Sequence, residues 1–562
     1  MAFQLSPGVN VSEIDLTTVI PSVATSTGAF AGPFNWGPCG VVTTISDEVR
    51  LVDTFGKPDS VNYEYWFSAA NFLAYGNNLK IVRATPGGAN NATANGGALV
   101  IRNEDDWTDN HSGYADGAYG GWAAKFPGAL GNSLKVSVAD LGTFATWPYR
   151  SQFNANTGTS SYVASRGGAN DEVHIVVVDE DGLWSGTAGT VLEKYAFVSK
   201  ASDAKDDSGN SNYYKNVVSS KSKYVWWVAH PATANLSSGT AWGSTANASS
   251  FKTTTANVEF SLSNGADGSV GSSQIVTAWD SFKNAEAVDV SLLVTGTGNT
   301  TIATHVITNI AESRKDCVAF ISPEKADVVD NAGSEDTDVV SFRNGLPSSS
   351  YAVIDSGYKY QYDKYNDVYR WIPLNGDIAG LCVRTDNERD PWFSPGGMNR
   401  GQIKNVIKLA WNPTKPERDD LYQKGINPVV SFPGEGTVLY GDKTMLTKPS
   451  AFDRINVRRL FITIEKAIAR AARFSLFEFN DQFTRAQFVA LVEPYLRDVQ
   501  GRRGITDFRV VCDDTNNTPE VIDRNEFVGD IYIKPARSIN FIQLNFVAVR
   551  TGVSFNEVVG SV

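Results

Sequence analysis

Histidine is scarce in this chain, with four among 562 residues: His111, His174, His230 and His305. No two lie at metal-ligand spacing, and no HExxH, GxSxG, GxxxxGK[ST] or GxGxxG stretch occurs. The usual signatures of zinc hydrolysis, nucleophilic serine chemistry and phosphate-loop nucleotide binding are therefore missing. His174 sits in an apolar run and reads as a core residue, whereas His111 sits in a polar loop. Cysteine is equally sparse. Cys39, Cys317, Cys382 and Cys512 form no CxxC pair, which leaves buried free thiols as the expectation rather than a zinc knuckle or dithiol redox site. No apolar run approaches the roughly 20 residues that span a bilayer. The start, MAFQLSPGVNVSEI, lacks a basic stretch followed by an apolar one, so no signal peptide and no membrane insertion are expected. Charged residues reach only 20%, and the net charge is -12. That balance disfavours direct binding to nucleic acid or anionic membranes.

Hydrophobic residues make up 42% of the chain, with 13 Trp, 21 Tyr and 29 Phe. Such a length and composition predict several packed domains of mixed α/β (α+β) class rather than disorder. Residues 1–20 read as an arm in which Val9, Val11 and Ile14 belong to a short strand, closed by Pro21. A strand of that kind needs a partner. The segment 21–95 reads as a first α/β piece, with a strand at 27–32, Ser46 as a helix cap, a helix over 63–75 and a strand at 79–83. Residues 96–185 read as an outer, β-rich insertion entered through the Gly/Asn-rich loop 86–121. Within it lie strands at 134–138 and 172–178. The acidic cluster Asp179-Glu180-Asp181-Gly182 fits a β-turn better than a calcium loop, because the alternating oxygen ligands of such a loop are missing.

The span 186–350 reads as a middle domain, with a helix over 190–200 and a buried strand near 315–323. Its Ser/Thr/Gly-rich stretch 231–300 contains SLSNGADGSVGSS, which has the composition of a mobile loop. Residues 351–540 read as a further α/β domain. YAVIDSGYKYQYD at 351–363 predicts one strand followed by an aromatic turn, and 371–386 a loop leading into a helix.

Between Ile455 and Phe474, Val457, Leu460, Phe461, Ile464, Ile468 and Ala471 fall on one helical stripe. Arg458, Arg459, Glu465, Arg470 and Arg473 fall largely off it, giving a charged helix suited to ion pairing between helices or subunits, or simply to solvation. A second helix is expected over 484–496, then strands at 508–512 and 531–533. The end, 541–562, reads as an extended strand and tail. Leu544 and Phe546 lie on one face, Val547 and Val549 on the other. Apolar segments at both ends must be tied down, either within the chain or on a neighbour's sheet edge.

Six stretches carry a resemblance. They are SPGVNVSEIDLT at 6–17, GAFAGPFNWGP at 28–38, PGALGNSLKVSV at 127–138 and GTAGTVLEKYAFVSK at 186–200. The other two are FDRINVRRLFITIEKAIARAARFSLFEFND at 452–481 and VVCDDTNNTPEVIDRNEFVGDIYIKPARSINFIQLNFV at 510–547. Together they resemble the contractile tail sheath family of T4-like myoviruses. That resemblance implies a conserved α/β inner domain with extended terminal β-arms, a subtilisin-like middle domain without catalytic residues, and outer insertions. It also implies a structural, non-enzymatic subunit that needs no cofactor. Its copies would stack as six-fold rings around a tail tube, assembled in the host cytoplasm between baseplate and tail terminator proteins, and would shorten from a metastable state in the virion. The arms, carried over as residues 8–14 and 543–549, would reach into adjacent subunits. Two rivals remain at this point. One is the sheath of a tailocin or another contractile injection particle. The other is a carbohydrate-binding adhesin, for which abundant Trp and Tyr would supply stacking surfaces.

Overall fold

The computed structural model of the chain describes residues 23–112, 119–540 and 542–543. These residues divide into two compact units. The larger runs from residue 23 to Pro391 and from Pro395 to Ala469, and the smaller takes Trp392–Ser394 and the described residues from Arg470 on.

The larger unit is organised by a seven-stranded sheet whose strands come from distant parts of the chain. β1 (Gly28–Gly32), β2 (Thr43–Ile45) and β3 (Leu79–Arg83) come first. Between them lie α1 (Glu48–Phe55) and α2 (Tyr63–Leu73). Asp47, not the expected Ser46, caps α1, accepting the Arg50 amide at 2.9 Å while the Ser46 hydroxyl donates to it. A carboxylate at this position satisfies an orphan N–H and also meets the positive end of the helix dipole.

The chain then leaves the sheet. β4 (Trp122–Ala124) pairs with β8 (Val225–Trp227). β5 (Leu134–Ala139), β6 (Glu172–Asp179), β7 (Thr190–Ser199) and β9 (Val258–Ser261) form an antiparallel sheet in the order β7-β6-β5-β9. The helix expected over 190–200 is thus a strand. Val191, Leu192, Tyr195 and Val198 have helical spacing. Two irregularities in the register with β6, between Val173 and Ile175 and between Val177 and Val178, let that spacing pair as a strand. Cross-strand pairing overrode the local period. α3 (Tyr214–Lys221) packs against β8. The stretch expected to be a mobile loop is also structured. Gly87, Asn90 and Thr93 bridge to Ser269, Ala266 and Ser263, so two Gly/Asn-rich segments pair with each other.

After α4 (Ser272–Trp279) the chain returns to the large sheet through β10 (Leu292–Val294), β11 (Val318–Ile321) and β12 (Ala352–Asp355). β13 (Tyr358–Asp363), β14 (Val368–Pro373) and β15 (Lys408–Leu409) form a separate three-stranded sheet in the order β14-β13-β15. The aromatic turn expected after the strand in 351–363 is therefore a second strand, in a different sheet. The break between the two strands falls at Gly357, where φ is 149° and Val328 lies 3.2 Å from the position a Cβ would take. α5 (Asn375–Glu388), β16 (Ile426–Asn427) and the hairpin of β17 (Val429–Phe432) with β18 (Gly436–Leu439) follow.

The large sheet has the order β16-β12-β11-β10-β1-β3-β2 and is parallel except at β2. Helices cover both faces. Phe30, Ile81, Leu292 and Phe320 meet Trp66 and Phe72 of α2 and Leu381 of α5, while Ala31, Leu293, Ala319 and Ile354 meet Trp279 and Ile307. Burial on both sides explains why GAFAG and VAFI read as continuous apolar runs.

Several buried cations inside this unit have partners from the same chain. Arg83 is fully buried and donates to the carbonyls of Phe34, Gly37 and Pro127, each at 2.8 Å. Lys200 pairs with Asp140 at 2.7 Å, and Lys359 with Asp377 at 2.9 Å, with no solvent exposure of either lysine. All four cysteines are buried free thiols.

At the carboxyl end of β12, Asp355 accepts from the Ser322 hydroxyl at 2.8 Å and from the Gly357 amide at 2.9 Å. Burial pushes its carboxyl up to about 8, overriding those two hydrogen bonds. The unfolded chain releases this proton near pH 4. Between about pH 4 and 8 the folded state holds more protons, so this group's contribution is complete at acid pH and declines as pH rises. In Asp355→Asn, the urea midpoint is therefore expected to fall less between pH 5 and 8 than in the unaltered chain. Equal slopes for the two proteins would assign the dependence to another group.

Candidate assembly elements

α6 (Ile455–Ala472) carries the charged residues singled out from the sequence except Arg473, which begins the 3-10 turn Arg473–Ser475 that follows. Its first three turns are buried nearly all round: Ile455, Val457, Leu460, Ile462 and Ile464 are buried, and so are Arg458 and Arg459. Arg459 Nη2 lies 2.6 Å from Asp386 Oδ2, and that same carboxylate oxygen accepts from Thr25 Oγ1 at 2.7 Å. The Arg458 guanidinium stacks 3.9 Å from the Phe452 ring centre and 4.3 Å from that of Tyr351, and donates to the Tyr351 hydroxyl at 3.2 Å. Burial pulls its pKa below the ordinary value, with Tyr351 and Glu465 opposing. Lys466 reaches Asp289 at 2.5 Å and Asp316 at 3.8 Å.

The charged set is thus split by position. Arg458 and Arg459 are engaged inside their own chain, whereas Glu465, Arg470 and Arg473 are exposed. The division between the two compact units falls inside this helix, after Ala469, so Arg470 and Arg473 belong to the smaller unit. A sequence signal for the buried pair did exist. INVRRLFITI has apolar residues on all sides of the helix, with only Asn456 and Thr463 as polar residues beside its arginines, and charges on such a helix need internal partners.

In the smaller unit, α7 (Gln482–Gly501) buries Phe488, Val492, Leu496 and Val499. Pro494 lies inside it, and the helix runs on to Gly501 past the expected end at 496. Next come β19 (Ile505–Val511) and β20 (Asp530–Pro535), an antiparallel hairpin with Phe508 opposite Ile533 and Val510 opposite Ile531. Among the described residues these two strands pair only with each other, which leaves two sheet edges. The arm residues Val9, Val11, Ile14, Leu544, Phe546, Val547 and Val549 lie outside the described residues.

The histidines have structural roles. His174 is buried and stacks on Phe153 at 4.1 Å, its Nε2 meeting the Ala155 carbonyl while its Nδ1 accepts the Phe197 amide. Burial and Lys215 push His230 down to about 4, which matches a neutral ring beside the Tyr214 hydroxyl at 2.6 Å. Asp179 organises its own turn, accepting from the Ser133 and Ser185 hydroxyls and from the amides of Gly182, Trp184 and Ser185. No group of His, Cys, Asp or Glu among the described residues is arranged to hold a metal.

The tail sheath protein of Vibrio phage KVP40 is 35% identical to this chain, with 99% of this chain and 100% of that protein covered. The chain belongs to the phage tail sheath family. The tail sheath protein of Enterobacteria phage T4 is 34% identical, with 99% of each covered. The model of the phage tail sheath protein central domain matches residues 268–445, and that of the phage tail sheath C-terminal domain matches 447–548. A crystal structure of a sheath tail protein from Listeria innocua shares the fold at a TM-score of 0.53 and 12% identity, covering 92% of this chain and 97% of that one. The chain is thus a structural sheath protein of mixed α+β, multidomain fold, and this family is not catalytic. Its place is the virion tail sheath.

The C-terminal match begins just before α6 and takes in the hairpin. Arg459 anchors the start of that region to Asp386 and Thr25. Arg459→Ala leaves Asp386 buried without its counter-charge, so a loss of about 3–5 kcal/mol is expected. Arg459→Met with Asp386→Leu should recover most of it. Urea denaturation of the purified subunit reads both, and a neutral Arg459→Ala would show that the pair contributes little.

Proposed function

We propose that this chain forms the sleeve of a contractile phage tail, its copies stacked as six-fold rings around the tail tube and linked through terminal arms. The observation that supports this most is the β19–β20 hairpin. A two-stranded sheet is marginal by itself, and its edges are templates for further strands. In this reading, residues 8–14 of one neighbour and 543–549 of another complete it by strand addition. Backbone hydrogen bonds then persist while side-chain contacts between rings are exchanged. The alternating apolar residues fix the register, because a slip of one residue would reverse every face.

Contraction in this reading is the release of a kinetically trapped assembly, started by the baseplate and finished in a lattice of lower free energy. The tube, the baseplate and a tail terminator are the partners, and Arg470 and Arg473 are the charged positions offered for contacts. In this proposal residues 21–95 and 186–350 are the subtilisin-like middle domain, and the inner domain over 351–540 lends β12 and β16 to the same large sheet, with the outer insertion over 96–185 and the arms at 1–20 and 541–562. The relatives reported above are phage proteins matched over almost their full length, which favours a phage over another injection particle.

Negative-stain electron microscopy of the full-length protein beside a version lacking residues 1–15 tests the arm. The expected result is tubes or stacked rings from the former, and folded subunits without tubes from the latter. Tubes from both would remove the N-terminal arm from the mechanism. Stable monomers from the full-length protein, even with tube and baseplate added, would overturn the sleeve.

A further inference from the structure

Two surfaces of the chain are left apolar and exposed. The first is one face of the three-stranded sheet. Tyr360 lies opposite Trp371 and Tyr362 opposite Tyr369, so four aromatic side chains share a face. Their ring centres are 4.6 Å apart for Tyr360 and Trp371, 5.6 Å for Tyr360 and Tyr369, and 5.2 Å for Tyr362 and Tyr369. Lys408, opposite Tyr360 on β15, holds its ammonium 5.1 Å from the Tyr360 ring and 5.4 Å from that of Trp371. Cross-strand aromatic pairs do stabilise a sheet. Yet Tyr369 is 54% exposed and Tyr362 43% exposed, and the face lies on the edge strand β14. An exposed aromatic edge of this sort invites association.

The second surface is the link between α6 and α7. Phe474, Leu476, Phe477, Phe479 and Phe483 are all exposed, five large apolar side chains within ten residues. Phe477 adopts φ of 71°, in the left-handed region that non-glycine residues seldom occupy. Its side chain is entirely open to solvent. Beside it, Glu478 is exposed and forms no ion pair among the described residues.

We infer that the 474–479 link of one copy docks on the Tyr360–Tyr362–Tyr369–Trp371 face of a neighbouring copy, with Glu478 set beside Lys408. The inference rests on the sleeve reading and adds a contact distinct from the arms. Phe477 and Phe479 supply the apolar area that the platform lacks a partner for, and aromatic pairs of this type gain beyond their area. The exposed charge pair adds little affinity and fixes orientation. The two patches differ, so the contact is heterologous and repeats without closing on itself unless the rotation forms a ring.

Charge exchange tests it on the full-length protein. Lys408→Glu and Glu478→Lys are each expected to raise the protein concentration needed for tube growth by about tenfold or more, and the double variant to return it to within about threefold of the unaltered chain. Thermal melts of each subunit check folding. As a second readout, Tyr369→Cys with Phe477→Cys should yield interchain disulfide ladders on oxidation of the assembled tubes, since the native cysteines are buried. Unchanged assembly in both single variants, a double variant no better than either, or tubes without crosslinks overturns the contact. Absence of tubes from the unaltered chain overturns the sleeve reading and this contact with it.

Discussion

The central constraint is the parallel pairing of β1 with β10. Ala29 stands beside Leu293 and Phe30 beside Val294, and β10 must lie between β1 and β11 before the sheet is continuous. Everything between β3 and α4 is therefore carried out of the sheet and brought back. Arg83 sits at the point of departure. It ends β3, and its guanidinium binds the carbonyls of Phe34 and Gly37 in the loop after β1 and that of Pro127, just beyond β4. The Gly/Asn-rich segments around 87–93 and 263–269 close the base of the excursion through bridges to each other. The insertion is thus held by backbone hydrogen bonds at its root and by its own aromatic core beyond.

The two compact units satisfy their charges differently. In the larger, Arg83, Lys200, Lys359 and Arg459 are buried beside carbonyls or carboxylates of the same chain. Removing one partner there strands a charge, a cost that favours a single arrangement. In the smaller, the buried Arg485 pairs with an exposed carboxylate, Asp514, and Arg497–Glu493, Arg502–Asp498 and Lys534–Asp507 lie on the surface, where such pairs contribute little. The hairpin depends more on pairing and packing against α7 than on charge.

Much of this was legible in the residues. The apolar run at 318–321 and the stripe of α6 correspond to elements found there, because burial on both faces or on one stripe leaves a direct pattern. The family resemblance, carried by 452–481 and 510–547, agrees with the C-terminal match. Three features were hidden. Thr190–Ser199 has a helical apolar spacing that two register irregularities convert into a strand. The Gly/Asn segments look like loops because their partner is a second loop-like segment some 170 residues away. Arg458 and Arg459 fell off the apolar stripe and read as suited to pairing between helices or subunits, or to solvation; Arg459 does pair with Asp386 of α5, but the burial of both guanidiniums left no local mark. Their partners Tyr351, Phe452 and Asp386 are mostly distant in sequence, so no local pattern marks them.

The wide separation of β1 from β10 also sets a clock during synthesis. The roughly 260 intervening residues take on the order of ten seconds or more to translate. Until β10 emerges, GAFAG has β3 on one side and an unoccupied edge on the other. The β19–β20 hairpin follows more than about 200 residues later still. Order of emergence thus protects the polymer. A nascent subunit completes its central sheet before it displays the edges through which it would join others.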